Sequence, residues 1–92
     1  MRVTVPLQLR AEVTDFLASE LEREVTRKGD GAFYTYHEAL GVIEEERDEL
    51  LEAIRSNNLH QIRQELRDLV VAALWGLVSI RAWETSGSSA EG

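Results

Sequence analysis

Six carboxylates fall between positions 44 and 52: Glu44, Glu45, Glu46, Asp48, Glu49 and Glu52. An acidic run on a helix ordinarily faces water. The positions divide this one. At about 100° per residue, Val42, Ile43, Leu50 and Ala53 surround the direction of Glu46, which places its carboxylate inside the apolar arc of the helix, with Glu49 at the edge of that arc. Glu44, Asp48 and Glu52 point elsewhere and are predicted to be solvated. A second anomaly follows at Glu65 and Asp68, three residues apart and therefore on one helical face, which Ala72, Trp75 and Gly76 continue.

Two such pairs on antiparallel neighbouring helices bring four carboxylates around one point. At ~5 Å separation and an effective dielectric of ~20, each like-charged pair costs roughly 3 kcal/mol. Several such pairs rival the whole stability of a small domain, about 5–15 kcal/mol. The residues alone leave three ways to neutralise the cluster: protonation, arginine or a divalent cation. Arg47, Arg63 and Arg67 are near in sequence, so a structural Glu–Arg network is a real alternative, although each arginine is predicted to point into a different sector of its helix. Among metals, a set of carboxylates without Cys or a convergent His pair suits Mg²⁺ or Mn²⁺ better than zinc.

Three helices have to position these groups. An apolar stripe at Leu9, Val13, Phe16, Leu17, Leu21 and Val25 predicts a first helix from about Pro6 to Lys28, ended by Gly29-Asp30-Gly31. Thr35-Tyr36-His37-Glu38 has the form of a capping box, so a second helix starts there; it carries Leu40, Ile43, Leu50, Leu51 and Ile54 and stops near Ser56-Asn57-Asn58, where an Asn can cap the third. The short connection makes helices two and three antiparallel neighbours. Helix three is apolar on nearly every side from Leu69 to Ile80, more than three helices of one chain can cover. The expected fold is therefore all-α, a three-helix antiparallel bundle whose four-helix packing is completed by oligomerisation, as a homodimer or homotetramer. Residues 1–84 are expected to form one domain, and the aperiodic stretch 85–92 a disordered tail.

Composition narrows the function classes. The chain has 92 residues, short enough for help from a partner subunit to matter. With no cysteine, it has no disulfide staple, thiolate metal site or Cys nucleophile. Ten Lys and Arg against 17 Asp and Glu, a formal −7, argue against a nucleic-acid partner. The N-terminal residues lack the pattern of a signal peptide, and the apolar stretch from Leu69 to Ile80, bounded by Asp68 and Arg81, is too short to span a bilayer. A cytoplasmic protein without membrane contact is expected. P-loop, dinucleotide-binding and hydrolase-elbow motifs are missing from the sequence.

Ile43-Glu44-Glu45-Glu46-Arg47-Asp48-Glu49-Leu50 followed by Glu65-Leu66-Arg67-Asp68-Leu69, with fifteen residues between Glu49 and Glu65, resembles the paired acidic elements of the MazG-like all-α nucleoside triphosphate pyrophosphohydrolases, over about Gly29 to Trp83. The resemblance implies Mg²⁺ held by Glu46, Glu49, Glu65 and Asp68, and hydrolysis of a nucleoside triphosphate between its α and β phosphates, a nucleotide-pool house-cleaning activity. It also makes Glu45 and Glu46 catalytic candidates, Glu45 either as a further metal contact or as the group that orients the attacking water. Many members carry a basic, Asn-containing segment after the second acidic element, where this sequence is rich in Gly and Ser. Phosphate contacts are therefore expected from Arg27 or Lys28, or from a neighbouring subunit. His37 and Trp75 complete the substrate-binding candidates; Tyr34, Tyr36 and Trp83 are further stacking candidates, and His60 is expected at the surface. The competing reading is a non-catalytic helical dimer whose acidic core is neutralised by metal or arginine and which serves as an interaction module.

Overall fold

Pro6 has no N–H to leave unsatisfied, and in the computed structural model of the chain, which describes residues 1–87, it caps α1 (Leu7–Lys28). The helix starts one residue later than the stripe predicts. It ends where expected: Gly29 takes a φ of +95°, open to glycine at no steric cost, and its N–H donates to the Val25 carbonyl at 2.8 Å. This helix belongs to a compact unit of its own, Met1–Asp30, and Leu9, Val13 and Phe16 of its stripe are about half exposed.

The second unit begins at Gly31 and holds α2 (Tyr36–Arg55) and α3 (Leu59–Ser86), which pack antiparallel across the turn at 56–58. Thr35 Oγ1 accepts the Glu38 N–H at 3.1 Å, half of the expected capping box. The other half differs: Glu38 Oε1 accepts the N–H of Tyr34, at 3.0 Å, rather than that of the cap residue. Asn58 caps α3 as predicted, its Oδ1 accepting the Gln61 N–H at 3.1 Å.

The inward stripe of α2 is Ala39, Val42, Ile43, Glu46, Leu50 and Ala53, and that of α3 is Ile62, Glu65, Asp68, Ala72, Trp75, Ser79 and Trp83. The α3 stripe carries its carboxylates toward the start of the helix and apolar or small residues beyond, whereas the α2 stripe carries Glu46 in the middle of apolar residues, as the helical spacing predicts. At the other end, residues 31–36 form a strap over α3. Trp75 Nε1–H donates to the Gly31 carbonyl (3.1 Å), the Phe33 N–H donates to Ser79 Oγ (3.0 Å), and Trp83 Nε1–H donates to the Phe33 carbonyl (3.0 Å). The Tyr36 ring meets Trp83 edge to face at 5.4 Å. Trp75, Ser79 and Trp83 are four residues apart, so one face of α3 holds the whole strap.

Ser79 is 0% exposed. Ser79→Ala removes only the hydroxyl that accepts the Phe33 N–H, and an unsatisfied buried donor costs about 1–3 kcal/mol. Urea unfolding should show that loss at unchanged slope; an unmoved midpoint would mean that water replaces the hydroxyl.

Among the described residues, Leu66, Val70, Leu77 and Val78 of α3 are 46, 37, 63 and 41% exposed, short of the all-round contacts that this helix's composition calls for. Helix α3 also extends through Thr85 and Ser86 to Gly87, which takes a left-handed φ of +75°; helix therefore replaces the disorder expected from position 85, and positions 88–92 of the expected tail lie outside the described residues. Among the described residues no helix is long and apolar enough to cross a membrane.

Candidate metal centre

Packing α2 against α3 with a three-residue turn fixes the register, and that register sets Glu46 and Glu49 opposite Glu65. One carboxylate oxygen from each of the three lies within 4.8 Å of the others. Glu65 is 7% exposed, Glu46 is half-buried and Glu49 is at the exposed rim. The Glu65 Oε1 accepts a hydrogen bond from Gln61 Nε2, one helical turn earlier on the same face. Glu46 Oε2 and Glu65 Oε2 are buried and have no hydrogen-bond partner.

Electrostatics bears the strain of this arrangement. Burial pushes the Glu46 carboxyl up to about 7, and the charges of Glu49, Asp68, Glu65 and Glu45 add to the effect. Glu49 is also raised, first by a hydrogen bond shared with Glu65, then by burial and by the charges of Glu65 and Glu45, against a lowering hydrogen bond with Glu46. Two orphaned buried anionic oxygens within reach of a third carboxylate fit a small hard cation, since oxygen ligands of this charge are what Mg²⁺ and Mn²⁺ select.

Asp68 is on the same face but outside that group of oxygens. Its Oδ1 accepts a hydrogen bond from Arg67 Nη1 in an ion pair whose side chains are 16 and 27% exposed. Arg67 was expected to point away from the carboxylates, and adjacent helical positions do diverge by about 100°. Its long arm nonetheless folds back around the helix. The other expectations for arginine hold: Arg47 lies 3.5 Å from Asp48 with both side chains largely solvated, and Arg63 is exposed. Glu44, Asp48 and Glu52 are exposed as predicted.

The remaining candidates are spread more widely. Glu45 is exposed next to the cluster in sequence, and its charge reaches both Glu46 and Glu49. Arg27 and Lys28 lie in the first unit, where both pair with Glu24, at 2.9 and 3.5 Å. Trp75 is engaged through its indole N–H by the strap, and Trp83 is buried under it. His37 and His60 are exposed, and Tyr34 is 84% exposed. Gln61 escaped the sequence reading; its four-residue spacing from Glu65 was the available signal.

A family model described as the MazG nucleotide pyrophosphohydrolase domain matches residues 34–82, more than half of the chain, spanning α2 and most of α3. No curated protein and no solved structure matches the chain.

Proposed function

The chain belongs to the MazG nucleotide pyrophosphohydrolase family, and from that premise we propose that it is a Mg²⁺-dependent hydrolase converting a nucleoside or deoxynucleoside triphosphate and water to the monophosphate and pyrophosphate, in cytoplasmic house-cleaning of the nucleotide pool. The observation that carries this reading is the meeting of Glu46, Glu49 and Glu65, with two buried carboxylate oxygens lacking partners. Those three residues, joined by Asp68, would hold the cation, with Mn²⁺ an alternative. When bound, the ion offsets the charge between an acidic protein and a polyanionic substrate, polarises the phosphoryl oxygen and acidifies the attacking water.

The chain's own groups do the rest. Gln61 holds the Glu65 carboxylate in one orientation through its hydrogen bond. Glu45 and Glu46 orient the attacking water and take its proton. Arg27 or Lys28, of this chain or of a second copy, contacts the phosphates, and His37 and Trp75 contact the nucleoside. A panel of NTPs and dNTPs with Mg²⁺ or Mn²⁺, scored for pyrophosphate, tests the reading. Orthophosphate as the primary product would assign cleavage to another phosphoanhydride bond.

One observation favours the second reading, a non-catalytic helical dimer with a neutralised acidic core: the Arg67–Asp68 ion pair. It leaves Glu46 and Glu65 with unpartnered oxygens, so it neutralises the cluster incompletely. Both readings include self-association, a homodimer or homotetramer in the first and a dimer in the second, supported by the exposed Leu66, Val70, Leu77 and Val78 on α3. Light scattering should give a mass two or four times the 10.4 kDa of the chain; the monomer mass would refute it.

A further inference from the structure

Arg67 stands where a cation-binding site would least want a cation. Its side chain curls back from the neighbouring helical sector, loses most of its exposure, and takes an oxygen of the one acidic residue of the predicted four that stays outside the glutamate group. An ammonium or guanidinium directed into a carboxylate cluster neutralises charge as a metal does, and the two occupancies exclude each other at a shared carboxylate.

We propose that Arg67 competes with the divalent cation for Asp68, and that cation binding transfers the Arg67 guanidinium from Asp68 to the polyphosphate of the substrate. The inference rests on the reading of the glutamate cluster as a metal centre and adds to it an internal counter-ion. In the metal-free protein the guanidinium holds Asp68 and partly screens Glu46, which the Asp68 charge reaches. When Asp68 turns to the cation, the guanidinium stays tethered at the rim, where its planar donors match phosphate oxygens geometrically. One side chain thereby weakens cation binding in the absence of substrate and strengthens substrate binding in the presence of the cation. Ordered loading follows: the cation is held firmly only when polyphosphate is there to receive the arginine.

Mn²⁺ titration of the full chain, with free ion read by electron paramagnetic resonance and no nucleotide present, tests this. Arg67→Gln should bind Mn²⁺ about fivefold or more tightly than the wild type, and the gain should vanish in the Asp68→Asn background. The same variant should bind inorganic triphosphate several-fold more weakly in the presence of Mn²⁺. A merely structural loss would weaken both. Arg67→Lys, which keeps the charge but not the planar fork, should tighten Mn²⁺ less and retain most of the triphosphate affinity, and it serves if the Gln variant does not fold. Unchanged or weaker Mn²⁺ binding by a folded Arg67 variant overturns the proposal while leaving the metal centre intact. A wild type that binds no Mn²⁺ at millimolar concentration overturns both.

Discussion

Glu49→Gln and Glu65→Gln should each lower pyrophosphate release at least about 100-fold, close to 3 kcal/mol of lost transition-state stabilisation. A neutral amide is a poor replacement for a charged ligand of a hard cation. Glu52→Gln, on the exposed side of α2, should stay within about twofold, since it only changes a solvated charge. Stability separates a catalytic cluster from a structural one. Taking one member out of a set of mutually repelling carboxylates should leave the metal-free fold as stable as before, or more so, which Glu46→Gln tests most directly because that group is raised furthest. Asp68→Asn is the exception. It removes the charge with which the Arg67 guanidinium, 16% exposed, pairs at Asp68, and removal of one member of a buried pair costs about 3–5 kcal/mol at full burial and less at this rim. A Glu49 or Glu65 variant that is markedly less stable yet fully active would transfer the function to the interaction-module reading.

The second large effect is that of the metal on stability. The Glu46 carboxyl is raised from an ordinary 4.5 to about 7 in the fold, so between those values the folded protein holds a proton that the unfolded chain has released. Stability therefore falls as pH rises through that window, and Glu49, raised in the same direction, adds to the slope. A cation that binds only the folded state removes the repulsion that causes the fall. At a hundred times its dissociation constant it contributes about 2.7 kcal/mol, which for a domain of this size raises Tm by about 10–20 °C. Melting curves of chelator-treated protein at pH 5 and pH 7.5, with and without Mg²⁺, measure both effects. Metal should matter little at pH 5 and greatly at pH 7.5; coincident curves at pH 7.5 would remove the metal centre.

What was legible in the sequence follows from what helical periodicity encodes. Faces were readable: Glu46 lies in the half-buried stripe of α2, Glu65 and Asp68 continue into Ala72 and Trp75, and Thr35 and Asn58 cap their helices. Each is decided within a turn or two of chain. Side-chain reach was not readable. Arg67 and Glu38 make bonds that their helical angles alone would not assign, because a long side chain chooses among acceptors over several ångströms. The strap was illegible for another reason: Gly31, Phe33 and Ser79 carry no periodic signal, and their partners lie 44 to 50 residues away.

That strap is long-range only along the chain. The turn at 56–58 brings the start of α2 back beside the last third of α3, so once the two helices have zipped together Phe33 needs only a few residues of slack to reach Ser79 and Trp83. Closing a loop that short adds little entropy, whereas closing it before the hairpin exists would carry the full cost of its length. Docking of the strap is thus predicted to come late in folding, after the transition state. Ser79→Ala should then act almost wholly on the rate at which the protein comes apart and hardly on the rate at which it assembles. The strap would then be a latch on kinetic lifetime, fastened at the far end of α3 from the carboxylates.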